Sequence, residues 1–79
     1  MKDLIAYIAK ALVDDPDRVE VSEVEGEQTS VIELKVAKED LGKVIGKQGR
    51  TAAALRTLAS VAGESEGRTV TLEIRDGKP

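Results

Sequence analysis

Nothing in this chain can staple a fold together. Its 79 residues include no cysteine and no histidine, so neither a disulfide nor a thiolate or imidazole metal site is available. The structure must rest on an apolar core and hydrogen bonds. A chain of this length buries only about three-fifths of its unfolded surface, too little to divide between two cores, so one domain spanning residues 1–79 is expected. The same absences remove most metal chemistry and every Cys-His or Ser-His nucleophile.

With 41% hydrophobic and 34% charged residues, the chain is apolar enough to pay the entropy of folding and is expected to be globular. The segment Met1-Lys2-Asp3-Leu4 meets an acid at once and then mixes apolar with polar residues. It lacks the unbroken apolar run of a signal peptide or a membrane span, and a cytoplasmic location is expected.

The periodicity outlines six elements. Leu4, Ile5, Ile8, Ala11 and Leu12 recur at three- and four-residue spacing and draw one helical stripe, with Asp3 placed to cap it. Asp14-Asp15-Pro16-Asp17 stops that helix, because the residue before a proline is driven out of the helical region. Val19 and Val21 then alternate with polar residues up to Val24. After the turn Glu25-Gly26-Glu27-Gln28, alternation resumes in Val31 to Val36, which reads as an antiparallel hairpin.

Ile32, Leu34 and Val36 share one face of the second strand, as do Val70, Leu72 and Ile74 in a final one. Between these strands, Glu39 to Ile45 forms a short helix and Arg50 to Ala62 a longer one, with Leu55, Leu58, Ala59 and Ala62 on one side. Gly63-Glu64-Ser65-Glu66-Gly67 reads as a loop. The expected class is α+β, in the order α-β-β-α-α-β, with three helices on one face of a three-stranded sheet.

Function can be argued at Val44-Ile45-Gly46-Lys47-Gln48-Gly49-Arg50. Two glycines stand at the junction of two helices: Gly46 can take the left-handed conformation that ends the first, and Gly49 opens the second with no Cβ to block an approaching backbone. The amides after Gly49 are first-turn donors at the positive end of a helix dipole, which favours an anion. Lys47 and Arg50 add mobile positive charge, and Lys43 stands just ahead. Val44 and Ile45 would floor an apolar groove for splayed bases with help from Ile32 or Leu34, while Gln48 would cap the loop with adaptable hydrogen bonds.

The formal net charge of −3 is at first sight wrong for a phosphate-binding chain. Its distribution answers the objection. From Lys35 to Arg56 six basic residues face two acidic ones, a local net charge of +4, whereas the remainder carries −7.

At this motif the chain resembles the KH family, with the element order of the prokaryotic type II form. More narrowly, Ala11-Leu12-Val13-Asp14 before a proline turn, with Lys43-Val44-Ile45-Gly46-Lys47-Gln48-Gly49-Arg50-Thr51, resembles the bacterial KhpA group of small RNA-binding proteins. The resemblance covers the full length. It implies a sheet with both parallel and antiparallel neighbours and a groove for about four nucleotides. It further implies a role as RNA chaperone or post-transcriptional regulator, and a homodimer or a heterodimer with a second KH protein of the KhpB kind. No cofactor and no membrane partner are implied.

Other residues have plainer readings. Ala52-Ala53-Ala54 reads as helix propensity ahead of the alternative that small residues let another backbone come near, and the pairs Asp14-Asp15 and Glu39-Asp40 cap or solvate helix ends, since sequence neighbours point apart and do not make a catalytic dyad. Arg56 reads as solvated surface. Tyr7, the only aromatic residue, is a helix-surface or edge contact, so the stacking platform of an RRM or OB-fold is excluded. Ala54 and Val61, one heptad apart, leave an apolar flank outside the core stripe as a candidate interface. The reading is a non-catalytic domain that binds single-stranded RNA. The alternatives are a KH-shaped dimerisation module with little RNA affinity and a single-stranded DNA binder.

Overall fold

The computed structural model describes residues 1–77; Lys78 and Pro79, the end of the expected domain span, lie outside the described residues. Helix α1 runs Lys2–Leu12, strand β1 Glu20–Glu25, β2 Thr29–Val36, helix α2 Leu41–Ile45, α3 Arg50–Glu64 and β3 Thr69–Asp76. Single 3₁₀ turns at Pro16–Arg18, Lys38–Asp40 and Lys47–Gly49 link them.

Each strand owes its place to its alternation. β2 lies in the middle of the sheet, antiparallel to β1 and parallel to β3, with Val21 opposite Leu34, Ile32 opposite Leu72 and Leu34 opposite Ile74. The period of two sends Ile32, Leu34 and Val36 to the helix side, where all three are fully buried. Thr29, Val31, Glu33 and Lys35 alternate with them and are turned to the open face. There Val24 pairs with Val31, and Glu33 meets Lys35 at 3.6 Å and Arg75 at 3.1 Å.

The helices close the other face. Ile5, Ala9, Val13, Val44 and Leu55 join the buried strand residues in one core, and no helix among the described residues is long and apolar enough to cross a membrane. On α1 the buried line is Ile5 and Ala9 with Ile8 half-buried, while Leu4, Ala11 and Leu12 of the expected stripe stay exposed. The small Ala9 lets that helix approach the sheet. Met1, rather than Asp3, holds the N-cap position, and Asp3 lies in the first turn, where its charge faces the positive helix end.

Two further expectations are corrected. The helix α3 continues through Gly63 and Glu64, because it passes so close to β3 that a Cβ on Gly63 would strike Val70 and stand 3.0 Å from the Arg68 carbonyl oxygen. Ala52 is buried, so only Ala53 and Ala54 fit a pure propensity reading. Arg56 is exposed, as expected, and its Nε also donates to the Leu72 carbonyl oxygen at 3.3 Å on the edge strand β3. Arg68 ties the hairpin turn to the start of β3 by donating from Nη1 to the Gly26 carbonyl oxygen at 2.7 Å.

Candidate nucleic-acid interface

The site is the corner where α2 gives way to α3. Gly46 ends α2 with φ 79° and ψ 171°, an extended mirror-image conformation essentially confined to glycine rather than the expected left-handed helical one. Space forbids a side chain as well, since a Cβ on Gly46 would lie 2.6 Å from Thr51 Cβ and 2.9 Å from the Thr51 amide nitrogen. Gly46 is thus fixed twice over.

Gly49 is fixed in a different way. Its φ of 74° and ψ of 14° are left-handed helical, yet a Cβ there would find no atom within 4 Å. The backbone at this point is open to solvent, as the close approach of another backbone requires. Gln48 is left-handed too, at φ 57°, the one non-glycine residue with positive φ among those described. The turn is closed by the Gly49 amide, which donates to the Gly46 carbonyl oxygen at 3.0 Å.

Gly49 serves as N-cap of the 15-residue α3 and no side chain caps that end; the Arg50 amide donates back to the Lys47 carbonyl oxygen, and the positive end of the helix dipole lies at the turn. Lys47, Gln48 and Arg50 are exposed around it, and among the described residues neither cation is ion-paired. Lys43 is also exposed but is engaged, its Nζ 3.4 Å from Asp14 Oδ2. Ile45 is half-buried. These residues form one basic corner.

The apolar floor expected beneath the corner is not there. Val44, Ile32 and Leu34 are fully buried in the core. None of the three offers a surface to a ligand, and Ile45 is the only apolar side chain of the motif with solvent access. Ala54 and Val61 lie exposed on α3, Val61 at 59%.

Sequence reasoning missed the residue that holds the corner against the rest of the molecule. Asp40, expected to cap or solvate a helix end, is 2% exposed and makes no cap bond. Its Oδ1 and Oδ2 instead accept the backbone amides of Asp14 and Asp15 at 3.2 and 3.0 Å. The partners lie 25 and 26 residues away, and no local pattern signals such a bond.

Three helices on one face of a mixed three-stranded sheet, in the order α-β-β-α-α-β, with Gly46-Lys47-Gln48-Gly49 joining the second and third helices, define a type II KH domain. The family model described as KhpA/KhpB, KH domain, matches residues 2–74, and the chain belongs to that family. It is 60% identical over 74 residues to the RNA-binding protein KhpA of Clostridium acetobutylicum, a match covering 94% of this chain and 99% of the relative. The RNA-binding protein KhpA of Aquifex aeolicus is 55% identical over 94% of both chains, and that of Chlamydia caviae 50% identical over 99% of this chain and 100% of its own. These relatives carry the name of RNA-binding proteins, and the family is not one of enzymes. No solved structure matches the chain.

Proposed function

We propose that this chain binds single-stranded RNA across the corner from Lys43 to Arg50, without catalysis, as an RNA chaperone or post-transcriptional regulator in the cytoplasm. The carrying observation is the exposed Lys47-Gln48 turn, held between two positive-φ glycines directly ahead of the uncapped end of α3. A sugar-phosphate approaches over Gly49, where no Cβ intervenes, and its charge meets the α3 amides, Lys47 and Arg50. Gln48 supplies hydrogen bonds that adapt to the base or sugar, and Ile45 gives the bases an apolar edge. The names of the relatives support the same ligand.

We also propose that the domain pairs with a second KH chain, its own copy or another, through the exposed flank at Ala54 and Val61. The test of RNA binding is fluorescence anisotropy of a labelled single-stranded RNA pool at several salt concentrations, with DNA of the same sequences as competitor. A saturable curve whose log affinity falls with log salt by about 0.7 per phosphate neutralised is expected, with DNA the weaker competitor. Absence of saturable binding would leave the KH shape serving assembly alone, and equal competition would make the ligand single-stranded nucleic acid of either kind.

A further inference from the structure

The three cations of the corner are not equivalent. Lys47 and Arg50 stand free among the described residues, whereas Lys43, three residues upstream of Gly46, faces a carboxylate 3.4 Å away. That carboxylate belongs to Asp14, from another part of the chain. The placement of Asp14 is not left to an unconstrained loop. Its own amide and that of Asp15 are held by the buried Asp40, which heads α2, the helix that carries Lys43. One buried carboxylate thus fixes the backbone that sets an exposed one beside the site.

We infer that Asp14 is a residue that limits the RNA footprint, holding the charge of Lys43 in check so that the phosphate track ends at Lys47 and Arg50. The inference rests on the RNA-binding reading above and deepens it. The physical ground is counterion release. A free lysine that meets a phosphate lets the nucleic acid shed a condensed cation, and affinity then falls with salt by about 0.7 logarithmic units for that contact. Lys43 already has a fixed counter-charge. The exposed pair, with side chains 44% and 81% accessible, is weak enough for a phosphate to displace. The displaced Asp14 nevertheless stays beside the incoming phosphate and repels it, cancelling what Lys43 contributes.

The test is a four-member cycle of wild type, Asp14→Asn, Lys43→Met and the double variant, titrated with labelled single-stranded RNA across a salt series. Asp14→Asn keeps the backbone amide that Asp40 accepts and alters a side chain in solvent, so the fold is preserved, which melting by circular dichroism verifies. Its expected effect is one more phosphate contact. The salt slope steepens by about 0.7, and binding tightens about eightfold near 0.05 M salt and about threefold near 0.2 M. Lys43→Met alone leaves the Asp14 carboxylate unopposed, so binding weakens and the slope flattens, and in the Asp14→Asn background it returns slope and affinity to the wild-type values.

An unchanged slope in Asp14→Asn overturns the inference. So does a gain that survives Lys43→Met, which would trace it to general loss of negative charge. Failure of the underlying reading has a different signature. The wild type would then show no saturable RNA binding, or Lys47→Asp with Gln48→Asp would bind as wild type does, and either result removes both proposals together.

Discussion

The two glycines of the turn look alike in the sequence and should behave differently when each is replaced by alanine. At Gly49 the cost is conformational only: left-handed backbone penalises a Cβ by about 1–2 kcal/mol, and the stiffer unfolded chain returns about 0.4–1 of that. No atom within 4 Å adds to it. The net loss is about 0.5–1 kcal/mol, or about 2–8 °C in melting temperature for a domain of this size.

At Gly46 the backbone region itself costs about 1–3 kcal/mol, and a Cβ forced against Thr51 adds overpacking of similar size. The expected loss is about 2–6 kcal/mol and about 8 °C or more. Because the obstruction includes the Thr51 amide nitrogen at 2.9 Å, Thr51→Ala should restore only a minor part. Thermal melting followed by circular dichroism on Gly46→Ala, Gly49→Ala and Gly46→Ala with Thr51→Ala checks the reasoning. Equal losses at the two glycines would refute it, as would full rescue by Thr51→Ala.

Asp40→Ala leaves the Asp14 and Asp15 amides without their acceptor, each loss costing about 1–3 kcal/mol where the amide stays buried, so melting should fall by about 8 °C or more. Glu39→Ala next to it alters an exposed side chain and should stay within about 0.5 kcal/mol of wild type. Val61→Asp places a charge on the exposed flank of α3, and sedimentation at high concentration should show association weakened by at least about tenfold with melting of the separated domain unchanged. A wild type that stays monomeric, alone and with a second KH protein, would sink the pairing proposal.

The sheet was legible because each strand buries a single face. Ile32, Leu34 and Val36 alternate without a break, and a slip of one residue would expose all three, so the pattern excludes every odd shift of register. The helical stripe of α3 was equally plain around Leu55 and Ala59. The boundary at Gly63 was not, since composition marks a loop there while contact with Val70 across the fold is what demands glycine.

The site divides in the same way. That two glycines and two cations share a helix junction can be read locally, and the structure places Lys47, Gln48 and Arg50 in solvent around it. Whether Val44, Ile32 and Leu34 floor a groove or fill the core cannot be read locally, because both roles ask for an apolar residue next to the motif. Burial decides for the core. The bond from Asp40 to residues 14 and 15 and the left-handed Gln48 are products of tertiary closure, and the parallel pairing of β2 with β3 entered only through the family resemblance.

The central claim is that the turn between Gly46 and Gly49 holds the RNA, and Lys47→Asp with Gln48→Asp tests it most directly. Both side chains are exposed, and aspartate tolerates the left-handed backbone of position 48 better than most residues, so melting should move by no more than about 0.5 kcal/mol. Beside a phosphate, one positive charge is lost and two negative charges are gained; at about 5 Å each interaction is worth roughly 0.8 kcal/mol in water and about 3 at an effective dielectric of 20. Melting by circular dichroism alongside anisotropy with the labelled RNA pool is predicted to show an unchanged fold and loss of detectable binding. A variant that melts as wild type does and binds RNA with wild-type affinity would contradict the claim.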